Sequence, residues 1–270
     1  MKGNHIIMKL KYLIISTMAV CIMTGCSSGR NIKVMTYNIH SGIRSDQVPD
    51  FRGQAGIIRA EKPDVAALQE VSRFHRDTPE LDLPLELGKA VGMNYHFAQT
   101  LSRPGRWEYG VGMLSRKPTE FIEKVFLPVP ENIEPRCFAV YRLPGDPVCY
   151  LVVTHLSYRG ECPGDDKVRM ESVKTIKNYL DKNNFYPAIL GGDLNCTRDT
   201  AALKYLAEYG DIWNDTDPRP ITSLKGQCQI DYICTFPKGR FKLKKFYVVN
   251  DLTASDHCPV VAELVLHQNK

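Results

Sequence analysis

Residues 31–39, "NIKVMTYNI", and residues 64–71, "DVAALQEV", are apolar runs that carry a polar side chain near their ends, Asn38 in the first and Glu70 in the second. Apolar runs of this length, rich in valine and isoleucine, predict strands. Between them "FRGQAGIIRAEK" has its apolar residues at helical spacing and stops at Pro63, because proline disfavours helix in the residue before it. The unit is strand, helix, strand, and it sets the fold class as α/β.

Further along, a second helix is expected near residues 84–92, followed by short strands at "NYHFAQT", "GVGMLSR", "EFIEKVFL" and "CFAVYRL". Pro144, Gly145, Asp146 and Pro147 are a turn signal, so "VCYLVVTHL" (148–156) returns as the partner of a hairpin. "DDKVRMESVKTIKNYLDKN" predicts the longest helix, with Val168, Val173, Ile176 and Leu180 on an apolar stripe, and "AILGGDLN" after it is a buried strand. A helix at 200–209 and the strands "QIDYICTF", "KLKKFYVV" and "CPVVAELVL" complete the pattern. Strand–helix–strand units mixed with hairpins imply sheets with helices outside them, and no repeat or linker interrupts residues 31–266.

The chain has 270 residues, 43% hydrophobic and 24% charged, enough for one well-buried domain and unlike a disordered chain. Its start differs from the rest. Lys2, Lys9 and Lys11 precede the apolar run "YLIISTMAVCIM", which is too short for the ~20 residues a bilayer core needs and reads as a secretory leader over residues 1–25. Translation from Met8 would keep a complete leader. "Met23-Thr24-Gly25-Cys26" resembles a bacterial lipobox, although Met23 stands where leucine is usual. The resemblance implies an exported outer-membrane lipoprotein attached through a lipidated Cys26, facing the periplasm or the exterior. Plain secretion is the alternative. Residues 26–30 are then a short linker, and 31–270 the domain.

Without the leader's three lysines, 32 basic residues face 30 acidic ones, so whole-molecule attraction to a polyanion is weak. The basic stretch "PKGRFKLKKF" (237–246) would place Arg240, Lys242 and Lys244 on one face of a strand, where solvated lysines guard a sheet edge. Setting aside Cys21 and Cys26 leaves seven cysteines, an odd number, with no zinc-finger spacing.

The informative residues lie at strand ends. Asn38, Glu70, His155, Asp193 with Asn195, Asp231, and Asp256 with His257 come from six separate segments. In an open sheet such ends and the loops leaving them converge on one cleft. Glu70 and Asp256 offer hard carboxylate oxygens suited to Mg²⁺ or Mn²⁺. Asp231 and His257 would make a carboxylate–imidazole pair, in which the carboxylate fixes the tautomer and raises the basicity of the ring. Asp193 could orient a water, while Asn195, His155 and Arg136 supply donors to a phosphate. These are the parts of a metal-assisted phosphate-ester hydrolase.

The ordered set "TYNI", "LQEV", "YGVGMLSR", "EPR", "VVTHL", "GGDLN", "IDYI" and "SDHCPV" resembles the endonuclease/exonuclease/phosphatase family, also called DNase I-like, over residues 32–266. Each motif alone is weak, but eight in order are specific. The resemblance implies a four-layer αββα sandwich with a cleft at one edge. It places Asn38, Glu70 and Asp256 at a metal, His257 with Asp231 as the acid–base pair or phosphate binder, and Asp193 at the nucleophilic water. Asn195 and His155 would bind the scissile phosphate, with Arg136 and Tyr109 reaching it. Family members often show "YGNA" where this chain has "YGVG" (109–112), which puts a polar contact from that segment in doubt.

A monomeric Mg²⁺-dependent phosphodiesterase is therefore expected, acting on extracytoplasmic nucleic acid or on a phospholipid or sphingomyelin headgroup. An inositol-phosphate phosphomonoesterase, or a non-catalytic surface protein that binds a phosphorylated ligand, is the alternative. His40, His75 and His96 match no motif and read as structural. Cys258 and Cys196 read as packing residues, since neighbours on a strand face opposite sides and His257 already takes the cleft. Trp107, just after Arg103 and Arg106 on a Gly/Pro-bounded loop, is open between a stacking platform for a base or a lipid-facing wedge and a cover over the core.

Overall fold

The computed structural model describes residues 29–131, 133–158, 167–213 and 218–268. The leader and Cys26 lie outside the described residues. Among the described residues, thirteen strands and four α-helices follow in chain order. β1 (Arg30–Asn38), α1 (Arg52–Glu61) and β2 (Val65–His75) are the strand–helix–strand unit, and β1 and β2 pair in parallel. β3 (Thr78–Asp82), α2 (Leu83–Val91), β4 (Asn94–Ser102) and β5 (Glu108–Ser115) come next. β6 (Glu120–Phe126), β7 (Cys137–Leu143), β8 (Cys149–His155), α3 (Lys167–Asn183) and β9 (Ala188–Asp193) carry the second half. α4 (Ala201–Tyr209), β10 (Asp211–Ile212), β11 (Asp231–Phe236), β12 (Phe241–Val248) and β13 (Val260–Leu266) finish it.

The strands form two sheets, β12-β13-β1-β2-β5-β4 with β3 beside β2, and β10-β11-β9-β8-β7-β6. α1 and α2 cover one sheet through Ala55, Ile58, Leu83 and Leu87; α3 and α4 cover the other through Val173, Ile176, Leu180 and Leu206. A third apolar cluster lies between the sheets, which completes the expected αββα sandwich. Pro63 follows α1 as expected, with Lys62 closing the helix at φ 52°. α2 starts on Asp82, whose carboxylate accepts from Leu85 N–H at 3.3 Å. The α3 stripe differs in one place. Arg169 is buried and hydrogen-bonds the Ser157 carbonyl at 3.5 Å, whereas Val168 is only half-buried.

The inter-sheet layer changes character along its length. Alternate residues of a strand share a face. On β1 the inward face runs Ile32, Val34, Thr36, Asn38; on β8 it runs Leu151, Val153, His155; on β9 it runs Ile189, Gly191, Asp193. Each row passes from aliphatic to polar towards the same end of the sandwich. Gly191 marks the narrowing: a Cβ there would sit 2.7 Å from Ala67 Cβ of the facing sheet. The polar end is the cleft end, and the apolar part is the layer that holds the sheets together.

β12 is an edge strand, as the lysine stretch suggested, with Lys242, Lys244 and Lys245 exposed. A bulge between Leu243 and Lys245 turns two successive lysines outward and lets Leu243 and Phe246 pack on the inter-sheet layer.

Candidate active site

Glu70 reaches the cleft because β2 bulges. Leu68 pairs with Gly112 and Val71 with Gly110, so Gln69 and Glu70 together oppose one residue of β5. Glu70 adopts φ 52°, a left-handed backbone that few non-glycine residues hold. The buried Asn38 lies beneath it and donates from Nδ2 to Glu70 Oε1 at 2.9 Å and to Asp193 Oδ2 at 3.1 Å. Its Oδ1 accepts from His40 N–H at 3.1 Å, so the amide orientation is set from both sides.

Asp193 is the hub. Its Oδ2 lies 3.5 Å from His155 Nε2 and 3.7 Å from His257 Nε2, and its Oδ1 accepts from Asn195 N–H at 3.0 Å. Burial first, then the charge of Asp231, pushes its carboxyl up to about 7. His257 Nδ1 sits 2.9 Å from Asp231 Oδ2. Burial opposes charge on this imidazole, but Asp231, Asp193 and Asp256 outweigh it and raise the ring to about 10. Thr222 Oγ1 accepts from Asp231 N–H at 3.1 Å and holds the start of β11 in place.

His155 differs from His257 although the two are near neighbours. Burial, then Arg136 and His257, drive its pKa well below the ordinary value. Arg136 Nη1 donates to His155 Nδ1 at 3.3 Å, which leaves the ring proton on Nε2, the atom facing Asp193. The Arg136 guanidinium also pairs with Glu134 at 2.9 Å and contacts the buried Tyr109, while its Nε is buried with no hydrogen-bond partner among the described residues.

The groups open on a cavity of about 490 Å³. Eight of the ten predicted site residues line it: Glu70, Tyr109, Arg136, His155, Asp193, Asn195, Asp256 and His257. The other two, Asn38 and Asp231, are fully buried behind Glu70 and His257. Asn195 stands at φ 48° and donates to the Leu156 carbonyl at 3.1 Å, which ties the end of β9 to that of β8. The hydroxyl of Ser255 bonds the Asn38 carbonyl at 2.8 Å and brings the Asp256–His257 turn against β1.

Two oxygen-rich places could receive a cation. Among the described residues, Asp193, Asp231 and His257 offer ligand atoms within 4.8 Å of one another. Within that group His257 and Asp231 already bond one another at 2.9 Å, and an imidazole must be neutral to bind a metal. Glu70 and Asp256 fit a hard cation better: both face the cavity, and Asp256 keeps 27% of its side chain exposed for water ligands.

Several residues of this region went unrecognised in the sequence. Glu134 lies inside the "EPR" motif and is the acid that orients Arg136. Tyr158, Lys225 and Cys228 also line the cavity and belong to no pattern that would have marked them. His40, read as structural, does bond the Ile43 carbonyl at 3.2 Å, but it also stands 3.8 Å from Asp256. His75 and His96 are structural: one packs edge-on against Trp107, the other stacks on Phe121 and bonds the Tyr141 hydroxyl at 3.0 Å. Trp107 covers rather than reaches out, for its Nε1 donates to Ser72 at 3.2 Å and Arg103 lies over its ring. Cys258 and Cys196 are buried, as packing residues should be.

The chain has relatives of known structure. The model of the Endonuclease/Exonuclease/phosphatase family matches residues 35–257. An endonuclease/exonuclease/phosphatase from Beutenbergia cavernae is similar at 25% identity and a TM-score of 0.71, covering 88% of this chain and 72% of that one. The human Nocturnin catalytic domain, solved with a bound sulfate anion, is similar at 17% identity and TM-score 0.67, covering 87% of this chain and 94% of that one. D. rerio TDP2, solved with a single-strand DNA product, gives 16% identity and TM-score 0.61, with 87% and 98% covered. No protein of curated function matches the sequence. With most of the domain matched and the motif residues gathered at one cleft, the chain belongs to the endonuclease/exonuclease/phosphatase family, whose members are typically hydrolases of phosphate esters.

Proposed function

We propose that the protein is a Mg²⁺-dependent phosphodiesterase that acts outside the cytoplasm on nucleic acid or on a phospholipid or sphingomyelin headgroup, and that it is held at the outer membrane by a lipid on Cys26. One observation carries the chemistry: Asp231, His257, Asp193, Asn38 and Glu70, from five segments, form a continuous hydrogen-bonded or close-contact chain at the wall of a single cavity.

In this reading Glu70 and Asp256 hold the cation, and Asn38 keeps Glu70 turned to it. When bound, Mg²⁺ supplies Lewis-acid polarisation of a phosphate oxygen. Asp193 orients the attacking water through Oδ2. His257, fixed at Nδ1 by Asp231, exchanges a proton at Nε2. His155 Nε2, Asn195, Tyr109 and the guanidinium of Arg136 face the phosphate, and the buried Nε of Arg136, unpartnered among the described residues, is a donor waiting for an anion oxygen. The sulfate of the Nocturnin structure and the DNA product of TDP2 support an anionic phosphate-type ligand.

The test is hydrolysis of bis-p-nitrophenyl phosphate by the mature protein, with and without chelator. Glu70→Gln is expected to lower kcat by at least ~10³-fold with unfolding temperature preserved, in line with loss of a group that acts only in the transition state. Undiminished turnover in that variant, or in chelator, refutes the proposal. A protein that binds phosphate esters yet turns over none, with or without Mg²⁺, would be the surface-binding alternative.

A further inference from the structure

The end of the sandwich away from the cleft carries a set of exposed basic side chains. At the end opposite the cleft lie the start of β1, the α1–β2 and β5–β6 connections, the β7–β8 turn, the end of α3 and the β11–β12 turn. These segments carry Lys62, Arg116, Lys117, Lys182 and Lys238, all exposed, and the half-exposed Arg240. The acids there are Asp64, which accepts from Lys33 N–H at 2.8 Å, Asp211, which accepts from Gly239 N–H at 2.8 Å, Asp181, paired with Lys177 at 2.6 Å, Glu120, 3.7 Å from Arg142, and the exposed Glu208. Asp146 is exposed among them.

We infer that this basic end is a face for an anionic bilayer surface, and that the cleft therefore opens away from the membrane that anchors the protein. The inference rests on the proposed lipidation of Cys26, and lengths decide the orientation. From Cys26 to Arg30 the chain spans at most about 14 Å. β1 then rises about 26 Å from Arg30 to Asn38 at its ordinary pitch. A molecule with its cleft on the bilayer would lift Arg30 further than the tether reaches. Upright, the lysines and arginines fall within about one Debye length of the anionic headgroups, ~8–10 Å, and the cleft lies well beyond it. Headgroups of the anchoring leaflet are then out of reach of Glu70 and His257. The substrate is a phosphodiester in solution, and of the two classes proposed above the nucleic acid is the one this orientation admits.

Energy transfer to a rhodamine-labelled lipid tests the orientation without using catalysis. The lipidated full chain, in a Cys162→Ser, Cys228→Ser background, receives a donor dye at Lys117→Cys or at Lys225→Cys, a cavity-mouth position. It is reconstituted in 3:1 phosphatidylethanolamine/phosphatidylglycerol vesicles. Quenching of the dye at 117 should exceed that at 225 several-fold. Adding Arg116→Glu and Lys238→Glu should shrink the difference and weaken binding of the unlipidated domain to the same vesicles. Equal or stronger quenching at 225 overturns the orientation, and a difference untouched by charge reversal overturns the lipid-facing role of the basic end. If mass spectrometry shows no lipid on Cys26, the anchoring proposal fails separately. The face is then read on the domain held by an N-terminal hexahistidine on nickel-chelating lipid.

Discussion

On β9, Ile189 and Asp193 lie four residues apart on the same face, and they belong to two different kinds of interior. Ile189 sits in the aliphatic layer between the sheets, where burial of apolar area is the stabilising force and any residue of like shape serves. Asp193 sits in a buried polar rim, where both its carboxylate oxygens accept hydrogen bonds and burial itself is unfavourable to the charged form. One strand thus passes from a region that makes the fold stable to one that makes it reactive, with Gly191 between them, where a Cβ would meet Ala67 of the facing sheet at 2.7 Å. The stability given up in the rim is recovered in the layer behind it.

If the rim works as a unit, breaking one internal pair should be out of proportion to the atoms changed. Asp231→Asn keeps the shape of the side chain but withdraws the charge that orients and charges His257. By analogy with other carboxylate–imidazole pairs, we expect kcat to fall by roughly 10³–10⁴-fold while the circular dichroism spectrum stays native. A fall below tenfold would mean that His257 is held by its turn alone.

The same comparison explains what could be foreseen. The aliphatic layer was legible as apolar runs, and the rim as the polar residues that end them, because both follow from period-two alternation. The bulge that turns Glu70 to φ 52° was not legible: it depends on β5 pairing out of step, a relation between segments 40 residues apart. β3 and the two-residue β10 escaped notice because they are short and half-exposed, and alternation over so few residues carries no signal. Sheet order escaped for the same reason as the bulge. Tyr158 and Lys225 entered the cavity only because loops after β8 and before β11 fold over it.

The pH response should separate the two interiors next. His257 has a folded pKa raised from 6.5 to about 10 and Asp193 one raised from 3.8 to about 7. A raised folded pKa means that the native state holds protons the unfolded chain has released, so both contributions are lost as pH rises through the folded values. His155 runs the other way, since its lowered pKa costs stability only below pH 6.5, where the unfolded chain takes up a proton. In chelator, unfolding free energy should therefore fall by a few kcal/mol between pH 7 and 10. His257→Gln should flatten most of that slope, whereas a change in the aliphatic layer should leave it intact. An unchanged slope in His257→Gln would place the titrating group elsewhere.

The smallest effect is the sharpest control. Ile189→Val removes one methylene from the layer, four residues from Asp193 and on the same face of the same strand. Ordinary core behaviour predicts a loss of ~0.5–1.5 kcal/mol in unfolding free energy by urea titration, with unchanged kcat and unchanged pH slope. The close approach at Gly191 is the reason to expect this insulation: backbone meets side chain there with no slack for a displaced Ile189 neighbour to press upon Asp193. If Ile189→Val lowers kcat several-fold while costing so little stability, then the layer and the rim are mechanically coupled through β9. The division between a tolerant interior and an exacting one would then fail at the strand where it looks cleanest.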